Sequence, residues 1–340
     1  MRDGGTVYPS DLSIMNNNLF PIFVKSGKAT SQFRAGFING AGQIVVDPVF
    51  ENVCSFREGL ASVKVSGKWG LVDGSGNMLI EPFSDRAISF SEGRGVFSEG
   101  GKCGVIDRSG TVLVPPKYYI VDDYSEGLAW MATSGAATDE PGSHGFLDAN
   151  GNVRIPCFFD DLRGFHEGVA AARLGGKWGF IEPSGRYLLE AKFDFAVRFS
   201  EGLARVKSDA LVGYINHEGV YVLPPQYSSG RDFSEGLAQV ESGGRWGFIN
   251  PQGDYEIIPS FQSTGRFSEG LAKAEVQGRI GFVDRTGNLC IKQQFSMASD
   301  FHDGLALVQT SKEIGYIDHQ GQFVWKAPYV QVEFAFMPGF

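Results

Sequence analysis

Cysteine is scarce in this chain. Cys54, Cys103, Cys157 and Cys290 are the only four in 340 residues, and no two form a CxxC pair. That spacing excludes a disulfide framework and a Cys-rich zinc site, and four unpaired thiols suit a reducing compartment, so a cytoplasmic location is expected. Long apolar runs are missing too. The N-terminal stretch has no apolar core after Arg2, and the run Leu19–Val24 is far too short for a membrane span. Membrane insertion is therefore not expected. Positive charge is in deficit: the formal net charge is −9. General nucleic-acid binding needs a basic surface and is excluded on that ground, whereas a basic protein partner is permitted.

Catalytic and cofactor signatures are equally sparse. The glycine-rich "GGKWG" and "GGRWG" are not followed by a helical pattern, and neither GxxxxGK[ST] nor GxGxxG nor GxSxG occurs. His144, His166, His217, His302 and His319 are scattered, with no HExxH or other ligand spacing. No enzyme, cofactor or metal site is expected.

What the chain has in excess is glycine and phenylalanine, 46 and 28 residues. Their order is periodic. Gly36, Gly70, Gly104, Gly145, Gly179, Gly213, Gly247, Gly281 and Gly315 follow one another at 34 residues, apart from one step of 41. A second marker, the glycine of F-S-E-G-L-A, recurs at Gly59, Gly93, Gly127, Gly168, Gly202, Gly236, Gly270 and Gly304 with the same seven-residue excess. One insertion, at 133–143, explains both series. A fixed period of this length is the signature of a repeat architecture.

Thirty-four residues is also the length of a helix-pair repeat, but no stretch carries the i, i+3, i+4, i+7 spacing of a buried helix face. The apolar residues fall instead in short Phe-, Tyr-, Val- and Ile-rich runs bounded by turn residues, which read as strands. In the unit from Gly176, "KWGFIE" is a strand, "PSGR" a tight turn, "YLLEAKF" the returning strand, "DFAVR" irregular, "FSEG" a turn and "LARV" a third strand. Adjacent residues of the first strand are apolar, so both its faces are expected to be covered. The acceptor three residues after the marker glycine, as at Asp73 and Asp107, fits an Asx-turn. The aromatic before Ser-Glu-Gly, as at Phe199, supplies one buried ring per unit.

These words (K/R-W-G-F/L-I/V-D/N, a turn glycine, a Pro-aromatic strand end and F-S-E-G-L-A) resemble the bacterial WG-repeat, or KWG-repeat, family over about residues 33–329. The departures are local: the Trp position holds Ala35, Cys103, His144, Val212, Ile280 and Ile314, and Leu-Ala becomes Arg94-Gly95 once. The resemblance implies a β-repeat binding module with no catalytic residues to carry over. It is also similar to the hairpin solenoids of cell-wall-binding repeats, whose aromatics hold choline or glycans.

The expected fold is all-β: tandem 34-residue repeats of roughly three short antiparallel strands in an open, solenoid-like superhelical array. Residues 1–32 are read as an N-terminal cap with a degenerate strand, 33–329 as about nine units, and 330–340 as a C-terminal tail. Divergent ends suit the caps of an open array. A closed propeller-like ring is the alternative, disfavoured because propeller blades need four strands.

Three features are candidates for binding. The recurring turn glutamates, such as Glu201, form either a carboxylate ladder for a cation or basic partner, or turn residues bonding local backbone, and the second reading explains recurrence without a ligand. Trp69, Trp178 and Trp246 stack on sugars or amines if exposed; the substitutes Val212, Ile280 and Ile314 favour instead a role in filling space between units. The insertion offers Asp139 and Glu140 on a projecting loop. The functional expectation is a non-catalytic scaffold for a protein partner, with toxin neutralisation or defence as the family-level setting. A glycan or cell-envelope binder is the alternative.

Overall fold

The computed structural model describes residues 18–25, 33–133 and 142–328. These residues form strands and turns without a helix. Strands β1 (Phe20–Lys25), β2 (Phe33–Ile38) and β3 (Ile44–Phe50) make the first sheet, in the order β1-β2-β3. The second contains β4 (Asn52–Val53), β5 (Leu60–Val65), β6 (Lys68–Asp73) and β7 (Met78–Ser84), in that order. Seven more four-stranded antiparallel sheets repeat the second, at 89–118, 120–159, 161–193, 195–227, 229–261, 263–295 and 297–328.

The sheets close on themselves. Phe20, Ile22 and Ile38 of the first sheet share one core with Leu305, Leu307, Ile314 and Tyr316 of the last. The Tyr316 hydroxyl donates to the Pro21 carbonyl at 2.9 Å, and the Tyr316 and Phe20 rings lie 5.4 Å apart. The same relation links all neighbours. Each turn glycine after a β6-type strand rests on an aliphatic of the preceding sheet: Gly76 on Val46, Gly185 on Ile155, Gly321 on Ile291, and Gly42 of the first sheet on Val324 of the last. The described residues thus form a nine-bladed β-propeller.

The open array is therefore corrected to the closed ring. The strand missing from the sequence reading is the β4-type strand, only two residues long in most sheets (three at Ser89–Ser91 and six at Phe195–Ser200), inside the segment read as irregular. Within the segment read as an N-terminal cap with a degenerate strand, Phe20–Lys25 is a strand that pairs with β2 and packs on the ninth sheet. Residues 330–340 lie outside the described residues.

Two packing rules recur around the ring. Where an aromatic follows the marker glycine in the first eight sheets (Leu71 and Val105 stand there in two), its ring meets the ring before Ser-Glu-Gly in the next sheet: Phe37 with Phe56 at 4.7 Å, Phe180 with Phe199 at 4.9 Å, Phe248 with Phe267 at 4.7 Å. Tilted and edge-on pairs of this kind add about 0.5–1.5 kcal/mol beyond the area they bury. The second rule explains the marker glycine itself. Between the pairs Ala35↔Phe50 and Phe37↔Val46, two residues advance on β2 while four advance on β3. The two extra residues form a bulge that folds over the glycine. A Cβ on Gly36, Gly70, Gly145, Gly179 or Gly247 would stand 2.4 Å from a carbonyl oxygen of the returning strand. No L side chain fits there.

Gly179→Ala is expected to destabilise the protein by about 3 kcal/mol, because the obstruction is backbone that has to shift bodily. Gly40→Ala, at a glycine with open space around it, should stay within about 0.5 kcal/mol. Urea unfolding midpoints of the two variants check the difference.

Candidate functional site

The Ser-Glu-Gly turns gather at one end of the ring. Each is a two-residue turn closed by a bridge such as Arg57↔Leu60. Both central residues are left-handed: φ is 51° at Glu58 and 75° at Gly59, and the other seven turns match. This is the type I′ geometry that suits Asn-Gly, and a glutamate held there costs about 1 kcal/mol or more. The compensation is long-range. The Glu92 carboxylate accepts the backbone N–H groups of Glu126 and Gly127 in the next sheet, both at 2.7 Å. Glu235 does the same to Glu269 and Gly270 at 2.6 and 3.0 Å. Glu58, Glu126, Glu167, Glu201 and Glu269 complete seven such links. A shorter carboxylate would not reach, which is why Glu recurs where Asn is the better turn residue.

Serine is a second clamp. The hydroxyls of Ser125, Ser200, Ser234 and Ser268 donate to the carbonyls of Phe165, Phe233, Phe267 and Phe301, one sheet ahead, at 2.6–2.9 Å. His166 and His302 stand at the serine position of their turns. The reading of these turns as purely local is thus replaced: Ser and Glu join neighbouring sheets.

The hairpin turns after the β6-type strands lie at the same end. Asp73 Oδ1 accepts the N–H groups of Ser75 and Asn77 at 2.8 and 2.9 Å. Asp107, Asp148, Asp284 and Asp318 repeat the Asx pattern, and Asn39 and Asn250 use an amide oxygen for it. These bonds favour the ionised form. The Ser109 hydroxyl bond to Asp107, the Asn77 amide bond to Asp73 and the Thr286 hydroxyl bond to Asp284 are the chief causes, and each carboxyl is held below the usual carboxylate range. From these turns, side chains reach back to the preceding Ser-Glu-Gly turn. His217 Nε2 lies 3.1 Å from Glu167 and stacks on Phe199 at 3.9 Å. His319 lies 3.2 Å from Glu269 and stacks on Phe301 at 4.4 Å. Arg108 and Arg285 donate instead to the carbonyls of Glu58 and Glu235.

The three tryptophans are not brought together. Trp69 and Trp178 are buried at 8% and 4% exposure, and Trp246 is half-buried. Each has a cation over its ring: Lys64 at 6.0 Å, Arg163 at 4.7 Å and Arg231 at 5.8 Å. Asp139 and Glu140 lie outside the described residues. The insertion leaves the ring between Leu128–Ala132 and His144–Asp148, at the end opposite the Ser-Glu-Gly turns, where Thr133 donates to the Ser143 carbonyl at 3.2 Å. Phe158, 59% exposed, stands beside it, with Gly142 against its backbone. All four cysteines are free, and burial pushes the Cys54 thiol up to about 11. Among the described residues no cluster of three or more His, Cys, Asp or Glu could hold a metal ion.

Glu235→Gln should cost about 1–2 kcal/mol even though the site is at the surface, because the amide replaces a charge-assisted pair of bonds with at most one neutral one. Glu235→Gly should recover part of the loss by relaxing the left-handed backbone; chemical unfolding of both variants measures it. The hairpin carboxyls set a pH dependence. Their folded-state values are depressed, so the stabilisation is present above the unfolded value of 3.8 and is lost as pH falls through the lower folded values. Melting temperature should therefore drop steeply below that value, and less steeply after Asp73, Asp107 and Asp284 are all changed to Asn.

Comparison with known proteins places this geometry. Among solved structures, the chain is similar to one described as the crystal structure of the eukaryotic initiation factor, with 11% identity, a TM-score of 0.57, and coverage of 80% of this chain and 85% of that one. It is also similar to the dihydro-heme d1 dehydrogenase NirN in complex with DHE (14% identity, TM-score 0.48, 82% and 75% coverage) and to Hsv2p of Kluyveromyces lactis (9%, 0.44, 73% and 98%). Likeness at these identities concerns the fold alone. Among curated proteins none matches. The model of the WG containing repeat matches eight times, at 36–69, 69–103, 104–133, 145–178, 178–211, 213–246, 246–279 and 280–312. With the marker glycine under its bulge in eight of the nine sheets, the chain belongs to the WG-repeat family.

Proposed function

We propose that this protein is a non-catalytic ring scaffold whose Ser-Glu-Gly end binds a basic protein partner. One observation carries the reading: that end concentrates carboxylates. Eight turn residues, Glu58 to Glu269 and Asp303, stand there with the hairpin acids Asp73, Asp107, Asp148, Glu182, Asp284 and Asp318. The turn carboxylates accept backbone bonds and stay partly open; the side chain of Glu167 is 35% exposed and that of Glu269 is 32% exposed. A ring of fixed negative charge on a rigid frame favours fast, salt-sensitive capture of a cationic surface. The overall charge of −9 supports the same choice of partner. Neutralisation of a basic toxin is a setting in which such a surface would serve, and the four free thiols support a cytoplasmic one.

The glycan reading rests on Trp246, the half-buried member of the three candidate tryptophans. A variant with Asp73, Asp107, Asp148, Asp284 and Asp318 all changed to Asn separates the two readings. Asn39 and Asn250 already make the turn bonds with an amide, so the variant should fold while losing five charges. A protein partner captured from the native host at low salt should then bind at least about 10-fold less, as salt does by screening. Unchanged capture, or a partner lost only with Trp246→Ala, would reject the acidic end as the docking surface.

A further inference from the structure

At the opposite end of the ring two sheets carry the same ion pair, and in a third the cation has an amide at the same spacing. Lys68, the first residue of β6, has Asp85 seventeen residues on, and its Nζ meets Asp85 Oδ1 at 2.5 Å. The other oxygen of Asp85 accepts the Gly100 N–H from the next sheet at 2.7 Å. Lys177 and Asp194 repeat the pair at 2.5 Å, with Asp209 N–H on the second oxygen at 3.0 Å. In the sheet at 229–261 the cation is Arg245 and the residue at the same spacing is Gln262. Gln262 keeps the bond to backbone, since its Oε1 accepts the Gly278 N–H at 3.0 Å. It cannot supply the ionic contact. Among the described residues no carboxylate pairs with Arg245, and Glu275 on the adjoining strand is taken by Ser263 at 2.6 Å.

The surface opens at that place. A depression of about 490 Å³ is lined by Arg245, Pro259, Ser260, Gln262, Val276 and Gln277. Bonding of Gln262 Oε1 to Gly278 leaves its amide NH₂ as a donor. The guanidinium and the Ser260 hydroxyl add further donors, and the one charge in the lining is positive. Pro259 and Val276 are its apolar walls. A fork of guanidinium donors fits a carboxylate through two parallel bonds.

We infer that this depression binds a small organic carboxylate with an apolar body, the carboxylate taking the position that Asp85 and Asp194 hold in the sister sheets. The probe is hexanoate, followed by calorimetry and by amide chemical shifts of the intact chain, with hexanamide as the uncharged control. Saturable binding with a dissociation constant on the order of 1 mM is expected for a single exposed guanidinium–carboxylate contact with an apolar wall. Hexanamide should bind at least about 10-fold more weakly, a difference of about 1.4 kcal/mol. Arg245→Gln should give a similar loss. Gln262→Asp should give it too, by installing an internal competitor, while leaving the unfolding midpoint unchanged or higher; because both residues are exposed, neither variant should fail to fold. Absence of saturation, equal affinity for hexanamide, or hexanoate binding that survives both substitutions would overturn the site. Tighter binding of inorganic phosphate than of hexanoate would overturn the assignment to carboxylates.

Discussion

Every β6-type strand is apolar on both faces, and that constraint decides the architecture. Phe37 and Ile38, Phe146 and Leu147, Phe180 and Ile181 point to opposite sides of their sheets and are all fully buried. A sheet of three or four short strands cannot cover both of its own faces, so it needs a neighbour on each side. An open row would leave two terminal sheets with a bare face. Closure leaves none, and the contact of Tyr316 with Phe20 and Pro21 is the place where that is achieved. The first sheet, one strand short of the others, is held by the same rule: β1 is the surface on which the ninth sheet completes its core.

Once closed, the ring needs its sheets held at a constant angle, and the Ser-Glu-Gly turns do this at one end. The aliphatic contacts between sheets are non-directional; the carboxylate and hydroxyl bonds are directional and reach from one turn to the next. The strain of glutamate in a left-handed conformation is part of that arrangement, since an asparagine would ease the turn and forfeit the link. A structural requirement thus assembles negative charge on a single end. The proposed partner surface is a by-product of how the ring is joined.

Much of this was legible in the residues. The period, the three longer strands, the Asx role of Asp73 and the aromatic before Ser-Glu-Gly all follow from local pattern. Closure did not, because a strand of two residues, as at Asn52–Val53, has no period to detect. The function of the marker glycine was equally hidden: its obstruction comes from a bulge on another strand, at Val46, Ile80 or Leu189. Residues that recur every 34 positions do not reveal whether Glu201 bonds its own turn or the following one. A signal was present, though. Glutamate stood in all but the last of the turns where Asn-Gly chemistry would be easier, and such a persistent exception implies a long side chain with somewhere to go. At Gln262 the useful signal was an amide at the position that Asp85 and Asp194 hold after the lysines of two other sheets.

The turn links all run one way. Each glutamate grips its successor and none grips its predecessor, from Glu58 round to the turn of Asp303. Among the described residues the first sheet brings no member to this series. The series opens at Glu58 and closes at Asp303, so the wheel has a heading and its sectors are distinguishable despite their common template. A visitor broad enough to cover several sectors would meet a dial with a marked zero, and could settle in one orientation out of nine.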